Sequence, residues 1–96
     1  MKFEFDPAKS AANKAKHQLE FVAAQALWSD PDAVGGGANS TVEPRWMVIA
    51  KLADKLWTAI YTRRGDHIRI ISVRPARTEA RELYEQTKDK NHRRES

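Results

Sequence analysis

Three strand-forming runs joined by two short turns constrain this chain more than any other feature. Residues 45–52 (RWMVIAKL), 55–62 (KLWTAIYT) and 67–74 (HIRIISVR) are rich in the β-branched and aromatic residues that suit a pleated surface. Ala53-Asp54 separates the first two runs and Arg64-Gly65-Asp66 helps to separate the second two. Gaps this short permit antiparallel neighbours, whereas a parallel pair needs a long crossover. The centre of the fold is therefore expected to be an antiparallel β-meander. Simple alternation in the third run puts Ile68, Ile70, Ser72 and Arg74 on one face and His67, Arg69, Ile71 and Val73 on the other. Neither set is purely apolar, so one face is expected to pack on helices and the other to stay partly open.

Around this meander the patterns are mostly helical. Lys2 to Phe5 alternates and can add a short strand. Asp6-Pro7 opens a helix, with Asp6 as N-cap and Pro7 at the first helical position. Ala8, Ala11, Ala12 and Ala15 recur at helical spacing and predict a close-packing face, with Lys9, Lys14 and Lys16 off it. A break near His17-Gln18 precedes a second short helix from Glu20 to Trp28, carrying Phe21, Ala24, Leu27 and Trp28 along one side. Asp30-Pro31 stops it. Val34 to Ser40 (VGGGANS) reads as a flexible connection; no Gly-Lys-Ser/Thr follows, so the phosphate-loop pattern is absent. Thr78 is a suitable N-cap for a final helix with Ala80, Leu83, Tyr84 and Thr87 in one stripe. From Lys88 the chain reads KDKNHRRES, with no apolar residue. The expected class is α+β: a small antiparallel β-meander sheet flanked by two N-terminal helices and one C-terminal helix. A single domain at 1–87 and a disordered polar tail at 88–96 complete that expectation.

The chain has 96 residues, enough for one domain, and 41% of them are hydrophobic, enough for one modest core. It has no cysteine, which excludes a disulfide scaffold, a thiol nucleophile and a thiolate metal site. No secretory signal is visible and no apolar run approaches the roughly 18 residues of a membrane span, so a cytoplasmic protein without a membrane partner is expected. The net charge of +4 is modest, but its distribution is not. Between Tyr61 and Glu85 lie Arg63, Arg64, Arg69, Arg74, Arg77 and Arg81, with Asp66 and Glu79 the only acids before Glu82. Guanidinium groups fixed on a sheet grip phosphate, and this concentration points to RNA.

Metal-independent RNA cleavage needs a base to help the 2′-OH attack the adjacent phosphate, cations for the developing charge, and an acid for the leaving 5′-oxygen. Arg63, Arg69 and Arg74 are the candidates for charge stabilisation. Alternation separates Arg69 from Arg74, and a bend near Pro75 could bring Arg74 round to the same pocket. The competing explanation is ordinary ion pairing with Glu43, Glu79 or Glu82. Lys16 and His17 end the first helix, where positive charge also suits the helix dipole. Their catalytic reading places them at the scissile phosphate, with His17 suited to proton transfer. Arg45 and Arg77 are candidate RNA contacts, and Tyr61 and Tyr84 are candidate base-stacking platforms or core residues. Glu79 is a further candidate base, although the dipole explains it equally well. His67 and His92 read as solvated bystanders, and histidines so far apart predict neither a metal site nor a cofactor. Trp28, Trp46 and Trp57 read as core or partner-interface anchors. The same arginines would equally serve a non-catalytic basic module that binds RNA or protein.

Several blocks in combination carry a resemblance: FEFDPAKSAANKAKH, the stop Trp28-Ser29-Asp30-Pro31, Glu43-x-Arg45, and RIISVRPARTEARELYE. From Lys2 to about Glu85 the chain resembles BrnT, a family of ribonuclease toxins from type II toxin–antitoxin systems whose fold is related to the RelE toxins. It departs from the family pattern at Gln18, where glycine commonly follows Lys-His, at Val73, commonly alanine, and at Phe5, where tryptophan is expected. The resemblance implies a RelE-like fold, an endoribonuclease activity, and a cognate BrnA-like antitoxin with a DNA-binding domain. It further implies that operator DNA is reached only through that antitoxin.

Overall fold

The computed structural model describes residues 2–38 and 43–95, with side chains as far as Lys90 in the last helix. The three predicted runs form β3 (Arg45–Leu52), β4 (Lys55–Arg64) and β5 (His67–Pro75), each antiparallel to the next. Gly65 takes φ 61 in the second turn at no steric cost, whereas Ala53 and Asp54 hold φ 51 and 65 in the first.

Two further strands widen the meander into a mixed sheet of order β1-β5-β4-β3-β2. The first strand, β1 (Lys2–Phe5), runs parallel to β5, with Phe3 beside Ile68 and Phe5 beside Ile70. The glycine run corrects the expectation of a flexible connection: Val34–Ala38 is β2, an edge strand antiparallel to β3. Pairing with β3 outweighs the poor strand propensity of Gly35, Gly36 and Gly37, which lie exposed on the edge. Asn39 and Ser40 lie outside the described residues.

Helix α1 (Pro7–His17) opens as expected, with Asp6 Oδ1 accepting from the Ala8 N–H at 2.9 Å. It ends where Gln18 turns left-handed at φ 65. Its packed face is not the alanine face. Ala8, Ala11, Ala12 and Ala15 are exposed, while Ser10 and Asn13 are buried. Both polar side chains are satisfied by main chain: Ser10 Oγ accepts from the Phe21 N–H at 2.9 Å, and Asn13 bonds at both ends of its amide. Phe21–Ala24 forms α2, which tightens into a 3-10 segment at Gln25–Ser29.

These N-terminal helices cover the inner face of the sheet. Leu19, Phe21, Ala24 and Leu27 pack there against Val48, Ala50, Trp57, Ala59, Tyr61, Ile68, Ile70 and Val73. Phe5 meets Phe21 edge-on at 5.7 Å, and Trp28 meets Tyr61 at 5.4 Å. Burying Phe21 or Leu27 completely is worth about 2–3 kcal/mol each.

The last helix, α3 (Thr78–Glu95), crosses the outer face. It runs on through the polar stretch from Lys88, since no glycine or proline there breaks a helix. Arg77 O accepts from the Arg81 N–H, so Thr78 already lies inside the first turn rather than capping it. Tyr84 is the one buried α3 side chain among the described residues, and Leu83 remains 41% exposed. The Tyr84 hydroxyl donates to Asp30 Oδ2 at 2.9 Å. That same oxygen accepts from the Lys51 N–H at 2.8 Å, while Oδ1 accepts from the Asp32 N–H. Burial by itself raises the Asp30 pKa, but these donors and the Lys51 charge together outweigh it and hold the carboxyl below its ordinary value. Burial and the Asp30 carboxylate both push the Tyr84 hydroxyl well above the usual tyrosine range. Among the described residues no helix is long and apolar enough to cross a membrane.

Candidate functional site

A β-bulge decides which arginines share a face. Ile60 pairs with Ser72, but the next β4 residue, Tyr61, pairs with Ile70, so Ile71 is an extra residue in β5. The phase of alternation shifts there by one. Ile68, Ile70 and Val73 all turn inward, and Arg69, Ser72 and Arg74 all turn outward. The expected separation of Arg69 from Arg74 is therefore corrected, and the cause is the bulge at Ile71 rather than a bend at Pro75.

Arg74 stands where two cavities meet. One, of about 350 Å³, lies between α1 and β5 and is lined by Lys9, Asn13, Lys16, His17, Ser72 and Arg74, with Ala12, Ile71 and Val73. Three cations and an imidazole surround it, and none of the described residues lining it is acidic. The other, of about 320 Å³, lies between α3 and the outer face, over Met47, Ile49 and Thr58. Arg77, Glu79, Ala80 and Leu83 close it from the helix side. Among the described residues Arg74 is the one common to both linings.

The remaining candidates are distributed more widely. Arg69 Nη1 lies 3.9 Å from Glu4 Oε1, and Arg64 Nε lies 4.0 Å from the same oxygen. These are loose, half-exposed pairs to one acid, Glu4. Arg63 points to the inner-face side, its guanidinium 5.2 Å from the Trp46 ring centroid, so it does not share the outward face of Arg69 and Arg74. Arg45 lies next to the Trp46–Tyr61 pair and close to Thr62 in the ladder. Arg45 Nε and Thr62 Oγ1 are both buried without a hydrogen-bond partner among the described residues.

Neither tyrosine offers a ring to a base. Tyr61 is 6% exposed, with Trp28 edge-on and Trp46 stacked at 6.4 Å, and Tyr84 is 1% exposed. Both are core residues. His67 Nδ1 sits 2.9 Å from Asp66 Oδ1 at the second turn, and the His92 side chain lies outside the described residues.

Sequence reasoning missed Asn13, a buried member of the cavity wall. A polar residue inside a lysine-rich helix reads as solvent-facing. Its partner, the Val73 N–H, lies 60 positions away and carries no side-chain signature. Glu4 was missed for a related reason: its parallel pairing beside Arg69 is a long-range event.

The model of one protein family matches residues 5–80, and that family is described as "Ribonuclease toxin, BrnT, of type II toxin-antitoxin system". No curated protein matches the chain.

Proposed function

The chain belongs to the BrnT family of ribonuclease toxins of type II toxin–antitoxin systems, and from that premise we propose that it cuts RNA at the cavity between α1 and β5. The observation that carries this reading is the position of Arg74, with Lys16 and His17 across one cavity and Arg77 across the other. A phosphodiester held in the α1–β5 cavity meets positive charge with no carboxylate among the described residues that line it. The 2′-oxygen attacks phosphorus, the bond to the 5′-oxygen breaks, and a 2′,3′-cyclic phosphate remains. Arg74 and Lys16 stabilise the charge that develops on the non-bridging oxygens. His17 is assigned to proton transfer at the same phosphate, as the imidazole of this cavity. Arg69, Arg45 and Arg77 hold flanking phosphates along the outer face. Arg63, beside Trp46, is left out of the chemistry.

The family implies an antitoxin partner. The finer reading is a DNA-binding, BrnA-like protein that neutralises the toxin and alone contacts operator DNA, in the cytoplasm. The site is assigned to a domain at 1–87, with no part given to the polar 88–96 segment. A binding module that grips RNA without cutting it is the second reading, favoured by the single imidazole of the cavity where cleavage calls for both a base and an acid.

The test is purified protein with defined RNA, followed by analysis of the ends produced. New 2′,3′-cyclic phosphate ends are expected, with a loss of about 10²–10³-fold in kcat for Arg74→Ala at unchanged Tm. RNA bound tightly but left intact by the wild type would select the binding module instead.

A further inference from the structure

We infer that Asn13 is a positioning residue of the α1–β5 cavity, setting the distance between its two walls; this inference rests on reading that cavity as the phosphate site. Asn13 is 9% exposed and uses both ends of its amide. Its Oδ1 accepts from the Val73 N–H at 3.1 Å, and its Nδ2 donates to Leu19 O at 2.8 Å. One partner is a donor and the other an acceptor, so the orientation of the amide is fixed by its surroundings.

Each partner lies beside a reactive group. Strand β1 pairs with β5 through Ile70, so the Val73 N–H, just beyond, is met by α1 instead of a strand. Arg74 is the next residue. On the other wall, Lys16 and His17 follow Asn13 at the three- and four-residue spacings that share one side of a helix. Leu19 follows the left-handed reversal at Gln18 that ends this helix. A single side chain thus ties the strand bearing Arg74 to the helix end bearing His17.

The chemistry of the position is demanding. A hydroxyl has one oxygen and does not span two main-chain groups on different elements. Aspartate keeps the acceptor and loses the donor. Glutamine keeps both, displaced by one methylene. Alanine leaves both main-chain groups unpaired and lets the walls part, and a shift of about 1 Å between catalytic groups can cost on the order of a hundredfold in rate.

Asn13→Ala and Asn13→Gln are compared with wild type in steady-state RNA cleavage, and by NMR during titration with inorganic phosphate. For Asn13→Ala, kcat is expected to fall about a hundredfold with KM little changed, and Asn13→Gln to recover part of the loss. In wild type the His17 ring and the Arg74 amide respond to phosphate with one shared Kd, and in Asn13→Ala they no longer do. A folded Asn13→Ala protein with wild-type kcat and the same shared Kd would overturn the inference. Should Asn13→Ala not fold, Asn13→Gln is read alone: reduced kcat at unchanged KM supports the inference and full kcat overturns it. Should wild type not cleave RNA, the proposed function fails, and the phosphate titration decides this inference alone. A shared response lost in the variant then supports it; an unchanged response, or none in wild type, overturns it.

Discussion

Helices α1 and α3 both lie against the sheet, yet they are attached in different ways. The shorter, α1, buries two polar side chains, Ser10 and Asn13, whose three hydrogen bonds reach the main chain of Leu19, Phe21 and Val73. Among the described residues the longer helix, α3, has one buried side chain, Tyr84, which bonds Asp30, and a cavity lies beside it over Met47 and Ile49. Bonds to main chain on separate elements fix how far a helix slides and how it turns. One buried anchor fixes a point. The wall that α1 gives its cavity is therefore expected to be the more rigid, and α3 is expected to open locally more readily about Tyr84.

The largest effect is expected in the core beneath α1. Phe21 is fully buried against the sheet and its N–H bonds Ser10, so Phe21→Ala is expected to cost about 4 kcal/mol in chemical denaturation. On the other side, Tyr84→Phe removes a bond to a carboxylate and should cost about 2 kcal/mol. Hydrogen exchange sharpens the contrast: α3 amides should exchange faster in Tyr84→Phe while α1 amides keep wild-type rates. Equal acceleration in both helices would mean that they form one cooperative unit.

Acid probes the same anchor. The Asp30 carboxyl sits below its ordinary value of 3.8 in the folded chain, so its contribution is present above that pH and is lost as pH falls through the lower folded value. Acid should thus loosen α3 first, and a pH series of exchange rates should show a shallower acid dependence in Tyr84→Phe, which lacks one of the stabilising donors. The smallest expected effect lies at the end of α1. Gln18 holds φ 65, and Gln18→Gly should raise stability by about 0.5 kcal/mol, read as a slightly higher Tm.

What the sequence reveals follows the range of the interactions. The N-cap at Asp6, the break at Gln18, the turns at Ala53-Asp54 and Gly65, and the three meander strands are local events, and local patterns carry them. The family resemblance is equally legible, since its blocks are contiguous. Long-range pairing is not. Glycines 35–37 look like a loop because nothing local says that β3 will supply their partners. The face of Arg74 is misassigned because a bulge inverts alternation without changing residue types. The alanine stripe of α1 looks like its packed face because a hydropathy pattern ignores that buried Ser10 and Asn13 can bond main chain.

On the proposed function, the outward arginine at the junction of the two cavities matters and the inward-side arginine beside Trp46 does not. The most direct test is inducible expression in a bacterium of wild type, Arg74→Ala and Arg63→Ala, following growth and bulk RNA integrity with protein levels matched. Growth arrest and RNA decay are expected with wild type and Arg63→Ala, and relief of both with Arg74→Ala. Undiminished toxicity and RNA decay in soluble, folded Arg74→Ala would contradict that reading.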